Sequence, residues 1–111
     1  MDNTVQSTTQ VPTENASRYL QQLCKHWSHT LQVEFSPESG QVVFPASGRS
    51  GDWPGEGILR MKAEPDHLRC ELMASVPEQL ERLQGVVESH LERFAFREAP
   101  LVFDWKETSN G

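Results

Sequence analysis

Apolar residues recur along this chain at two spacings, and the switches between them mark out its elements. Ala16, Leu20, Leu23, Cys24 and Trp27 share one side at 100° per residue, the period of an amphipathic helix. The spacing predicts a helix starting at Thr13 or Asn15, just after Pro12, and running to about His29. Arg18, Lys25 and His29 lie opposite the stripe, while Tyr19 and His26 fall together on its border. The period then drops to two. Leu31, Val33 and Phe35 alternate with polar residues, 36–40 reads as a turn, and Gln41 to Phe44 resumes a strand. Ala46 to Gly57, rich in Gly, Ser and Pro and carrying Trp53, reads as a flexible hairpin insertion. Ile58 to Glu64 and His67 to Ala74 flank Pro65-Asp66 and read as a hairpin.

That hairpin allows a test of register. With Glu64 opposite His67, Ala63 faces Leu68, Met61 faces Cys70 and Leu59 faces Leu72, so the apolar residues share one side. Arg60, Lys62, Arg69 and Glu71 share the other. One dry face and one wet face imply an antiparallel sheet covered by helices on a single side. A second helix follows, with Ser75 and Glu78 as a capping box, Pro77 in the first turn, and a stripe of Leu80, Leu83, Val87, Leu91 and Phe94. Gly85 weakens that helix. Leu101, Phe103 and Trp105 alternate as a closing strand. A weaker alternation at Val5, Ser7, Thr9 and Val11 leaves residues 1–10 as an edge strand or a disordered tail. The predicted fold is α+β, a two-layer sandwich with two helices on one face of an antiparallel sheet, in the order (β)αββββαβ. Residues 11–107 form the single domain, 46–57 its flexible loop, and 108–111 a tail.

Composition narrows the partners. A chain of 111 residues suits one core. Its formal net charge of -6, with no run of basic residues, disfavours nucleic acid and anionic membranes, which need a basic surface. No apolar stretch is long enough to span a bilayer and the amino terminus lacks a signal-peptide pattern, so the expected location is the cytoplasm. Cys24 and Cys70 occupy inward positions and read as reduced, buried hydrophobes rather than a disulfide.

Candidate chemistry centres on His90, which falls within the stripe of the second helix. A histidine withdrawn from water needs a partner, and Tyr19, Asp104 or a backbone carbonyl would serve. With His26 and Tyr19 it would line a crevice between helices and sheet, suited to a small apolar ligand with a few polar anchors. Arg93, on the next turn, would hold an anion beside it or pair with Glu92 or Glu98. His26 and His29 are three apart and would share a metal ion with His90 if the helices pack side by side. Cys24 points about 160° away from His26 and about 140° from His29 and is excluded from such a site. The segment 48–57 lacks the ending of a phosphate loop and leads into a strand, so Trp53 as a lid is the alternative to a plain insertion. No catalytic triad, carboxylate pair or nucleotide fingerprint is present, and no cofactor is indicated. Three functions follow: non-enzymatic ligand binding, protein interaction through the open sheet face, or a small enzyme with His90 as general base.

The segments 16–29, ASRYLQQLCKHWSH, and 89–98, SHLERFAFRE, closely resemble the two signature segments of bacterial domain-of-unknown-function family 2218, and LVFDW at 101–105 is similar to its closing strand. The resemblance covers roughly Val11 to Lys106, with the 46–57 loop longer than the family norm. It implies a small bacterial domain without an established activity. The signature positions it carries over are Tyr19, Leu20, His26, His29, His90, Leu91, Arg93 and Phe94. The family's association with flavin-dependent siderophore-interacting reductases implies such a reductase as a partner and a role in iron acquisition.

Overall fold

The computed structural model describes residues 4–48 and 51–109. Strand β1 (Val5–Pro12) leads into helix α1 (Ala16–Trp27), then β2 (Gln32–Phe35), β3 (Ser39–Phe44), the short β4 (Ser47–Gly48) and β5 (Gly51–Asp52), β6 (Gly57–Ala63), β7 (His67–Ala74), helix α2 (Pro77–Phe94) and β8 (Lys106–Ser109). Six strands form one sheet in the order β2-β3-β6-β7-β1-β8, all pairs antiparallel, while β4 and β5 pair with each other in a separate ribbon. The α+β reading of the sequence is therefore correct.

The alternation of the strands builds the layer beneath the helices. Met61 lies opposite Cys70, Leu59 opposite Leu72 and Ala63 opposite Leu68, the register expected from the sequence, and the Glu64 amide closes the turn onto the His67 carbonyl at 2.9 Å. Leu59, Leu68, Cys70 and Leu72 are fully buried on this face, with Val42 from β3 and Val11 from β1. Helix α1 covers β2, β3 and β6, α2 covers β7 and β1, and the helices touch each other. Arg60, Lys62 and Arg69 remain exposed on the uncovered face. Burial pushes the Cys24 thiol up to about 11 and the Cys70 thiol up to about 12, so neither is a nucleophile near neutrality.

Helix α2 packs tightly over Gly57. A Cβ there would lie 2.3 Å from Leu83 Cδ1, so any larger residue would require the Leu83 side chain to shift.

Four expectations need correction. Val5–Pro12 is not an edge: it pairs with β7 on one side and β8 on the other. Its inward positions include Ser7 and Thr9, both buried, and these polar residues obscured the pattern. The closing strand starts at Lys106, after the apolar alternation of 101–105 rather than within it. Leu101, Phe103 and Trp105 pack partly buried against the core from a non-strand segment. That segment is held instead by side chains: the Leu101 amide donates to Glu92 (3.0 Å), the Asp104 amide to Thr9 Oγ1 (3.0 Å) and the Trp105 indole to Glu88 (2.7 Å).

The expected capping box is also displaced by one residue. The N-cap of α2 is Val76, and Gln79 rather than Glu78 reaches back, its Oε1 accepting the Ser75 amide at 2.7 Å and the Ser75 hydroxyl as well. Gln79 is fully buried, and its Nε2 donates to the Gly55 carbonyl at 2.9 Å. One side chain thus ties the start of α2 to the far end of the 46–57 loop. The tail expected at 108–111 contributes its first two residues to β8, and residues 110–111 lie outside the described residues.

Candidate functional site

The carboxyl-terminal end of α1, the end of β3, the β4–β5 ribbon and one side of α2 enclose an open groove of about 1180 Å³. From α1 come His26 and Trp27, with Thr30 and Leu31 just beyond it; Phe44 and Pro45 follow from β3. Helix α2 supplies Glu78, Glu81, Arg82, Gly85, Val86, Ser89 and His90, a lengthwise stripe. At 1.5 Å per residue, the twelve steps from Glu78 to His90 make it about 18 Å long. Gly51 and Trp53 form the opposite lip. Gly51 has φ +124°, a conformation open to glycine, and a Cβ there would lie 3.2 Å from the Trp53 ring, so the indole lies flat against this turn. The Trp53 amide anchors it through the Ala46 carbonyl at 2.7 Å.

The walls are aromatic. Trp27 meets Phe44 edge to face, centroids 5.4 Å apart, and its other neighbour is the His90 ring at 5.2 Å. His90 lies 5.4 Å from His26, which in turn packs against Phe94 at 5.8 Å. Midway along α2, Gly85 is exposed, and nothing lies within 4 Å of the place a Cβ would take. It leaves the groove floor low.

His90 is half-buried rather than shut away, and its partner is neither Tyr19 nor Asp104. Its Nδ1 lies 2.7 Å from the Val86 carbonyl. Because a carbonyl accepts, Nδ1 carries the proton and Nε2 is left for a ligand. His26 is exposed, and its pKa falls below the usual histidine value through partial desolvation first, then the fields of His90, Arg93 and His29.

The expected crevice therefore holds His90 and His26 but not the other two residues assigned to it. Tyr19 is two turns up α1 from His26, roughly 10 Å away, since seven residues bring a side chain back to the same angle but not the same height. It belongs to a separate cluster, where its hydroxyl donates to the Glu98 carboxylate. Thr13 Oγ1 (2.9 Å) and Asn15 Nδ2 (3.2 Å) donate to the same group, clamping the turn after α2 to the start of α1. Arg93 is exposed, does not line the groove, and among the described residues pairs with neither Glu92 nor Glu98. His29 is exposed and in no ring contact with the other two histidines. Among the described residues no group of three or more His, Cys, Asp or Glu is arranged to hold a metal ion.

The Glu98 clamp makes acid stability legible. The Tyr19 hydroxyl beside it, with Asn15 and Thr13, holds the carboxyl below its ordinary value of 4.5 against the opposing effect of desolvation. A depressed carboxylate contributes stability above its unfolded pKa and loses it as pH falls through the folded one. Unfolding monitored by urea should therefore show stability level above about pH 5 and declining below 4.5. Glu98→Gln should lower the plateau and flatten the decline, and an unchanged slope would show that other carboxylates govern it.

The family model described as "Uncharacterized protein conserved in bacteria" (DUF2218) matches residues 8–106. The chain belongs to this family. The NMR structure of PA4090 from Pseudomonas aeruginosa is similar to it in fold, with a TM-score of 0.69 at 35% sequence identity, covering 91% of this chain and 94% of that one. Among curated proteins there is no match. Membership of DUF2218 is as the signature segments imply, and it brings no activity. Among the described residues no helix is long and apolar enough to cross a membrane.

The remaining groove residues escaped the sequence. Trp27 and Phe44 read as core, and 5% of each is exposed. Glu78 read as half of a capping box, and Glu81 and Arg82 lie off the apolar stripe of the second helix. Trp53 carried the one available signal, an indole in a Gly-rich loop where packing alone does not require it.

Proposed function

We propose that this DUF2218 domain is a non-enzymatic binding domain for a small ring-bearing molecule held in the groove between α1, α2 and the β4–β5 ribbon. The observation that carries the reading is Gly85. A glycine in the middle of a helix costs about 0.5–1 kcal/mol relative to alanine, and this one has free space above it, so packing does not account for it. A ligand lying along α2 would. Aromatic walls with a few polar groups at the ends are the usual make-up of such a site, and Trp27, Phe44 and Trp53 provide flat surfaces for a ring. An iron-linked ligand is the reading that the resemblance implies, through siderophore-interacting reductases; aromatic siderophores are ring-bearing and anionic when they hold iron.

Titration of tryptophan fluorescence tests this. Addition of a ferric catecholate siderophore, of haem and of metal-free ring compounds should give a saturable change with at least one of them, and Trp53→Phe should remove a large part of the signal. A response to metal-free compounds only would remove the iron link. No saturable response to any of them would overturn the groove as a binding site.

A further inference from the structure

The two ends of the groove differ in charge. At one end stand Glu78 and Glu81, with Arg82 beside them; at the other stand His26 and His90. Along the helix, Glu81 is about 14 Å and Glu78 about 18 Å from His90, beyond the distance at which exposed charges act strongly in salt. The charged groups that act on His26 are His90, Arg93 and His29, each cationic or able to become so. Lys25 precedes His26 in the last turn of α1. Two further carboxylates of α2, Glu88 and Glu92, accept from the Trp105 indole and the Leu101 amide; they keep their charge but neither lines the groove nor is among the groups that act on His26. The remaining close ring neighbours, Trp27 and Phe94, carry no charge. In a chain with 16 acidic and 10 basic residues, this corner is a local reversal of sign.

We infer that the imidazole end of the groove is an anion site, and that the ligand is a flat, ring-bearing molecule ending in a carboxylate or similar small anion, held by His26 and His90 with the charge of Arg93 acting from outside the lining. The inference rests on the groove reading and adds the ligand's charge and direction: ring against Trp27, Phe44 and Trp53, anion toward the histidines. His90 uses Nδ1 on the Val86 carbonyl, so its Nε2 becomes a donor to the anion when the ring is protonated. Arg93, outside the groove lining, supplies a permanent charge whose field reaches His26. In the free protein partial desolvation, and after it the fields of His90, Arg93 and His29, disfavour a proton on His26; an anion beside the ring opposes those fields and favours the proton. Binding therefore takes up a proton, and affinity rises as pH falls through the ordinary histidine range.

Three probes of one shape separate the possibilities: 1-naphthoate, the neutral 1-naphthamide and the cationic 1-naphthylmethylammonium, titrated against the intact protein at pH 6 and pH 8 by fluorescence and by chemical shifts of the His26 and His90 ring protons. Naphthoate should bind about tenfold more tightly than the amide at pH 6, the effect of one charge-assisted contact, and the gap should narrow at pH 8. Arg93→Ala and His26→Ala lie on the exposed surface and should leave the fold intact by circular dichroism while removing much of that gap. Equal affinity for all three probes, or preference for the cation, would overturn the anion site and leave the groove reading standing. Binding of none at millimolar concentration would remove both.

Discussion

Gln79→Leu should destabilise the domain by about 2–4 kcal/mol, because it leaves two partly buried polar groups without their partner at once. The side chain is fully enclosed, accepts from the Ser75 amide and hydroxyl, and donates to the Gly55 carbonyl. Leucine nearly matches its volume, so little of the loss would come from a cavity. In its place the partly buried Ser75 amide and Gly55 carbonyl would face an apolar side chain. A domain of this size loses roughly 4 °C of Tm per kcal/mol, so thermal unfolding should shift down by roughly 8–16 °C. The ribbon that carries Trp53 leaves the loop just before Gly55, so ligand affinity should weaken too. A shift under about 2 °C would mean that water replaces the lost partners and that Gln79 does not anchor the loop.

The second large effect is on binding with the fold preserved. Gly85→Phe should weaken binding of any groove ligand by about a hundredfold or more, while thermal stability stays level or rises slightly. The ring would occupy the empty floor between Trp53 and α2, where nothing stands within 4 Å of the new Cβ. Phenylalanine is a better helix residue than glycine, so loss of binding could not be ascribed to unfolding. Gly85→Ala isolates the other half of the argument: about 0.5–1 kcal/mol more stability, with binding little changed. Isothermal titration beside thermal denaturation of both variants decides it. A Gly85→Phe protein that binds as well as the parent would place the ligand elsewhere.

The sheet interior was legible wherever strands alternate strictly. Leu59, Met61 and Ala63 against Leu68, Cys70 and Leu72 admit one register, because a slip by one residue would put Arg60 and Lys62 in the core. β1 was harder to read, since Ser7 and Thr9 stand at inward positions. Thr9 earns its place by accepting the Asp104 amide, a long-range bond that no local pattern announces. Residues 101–105 show the converse failure: the side chains alternate as a strand's would, while the backbone finds its partners on Glu92 and Thr9 instead of a neighbouring ladder.

The site was half legible. His90 and His26 come together because both flank the seam where the two helices meet. Tyr19 was misplaced because a helical projection records angle and discards height. The groove itself draws on four separated segments, and its shape depends on a glycine turn at Gly51 and a missing side chain at Gly85. Absence of a side chain reads in sequence as a weak helix rather than as space.

The place of β1 between β7 and β8 also bears on how the protein comes to be made. The strand nearest the amino terminus finds its partners, from Val5 opposite Ala74 and Ser109 to Pro12 opposite His67, only in segments translated much later. The β2-β3-β6-β7 meander is able to assemble as it emerges from the ribosome, with β1 unpaired until β7 is made and with its other edge open until β8 follows. Truncation of β8 should therefore trap a nascent chain whose exposed strand edge engages chaperones or other copies.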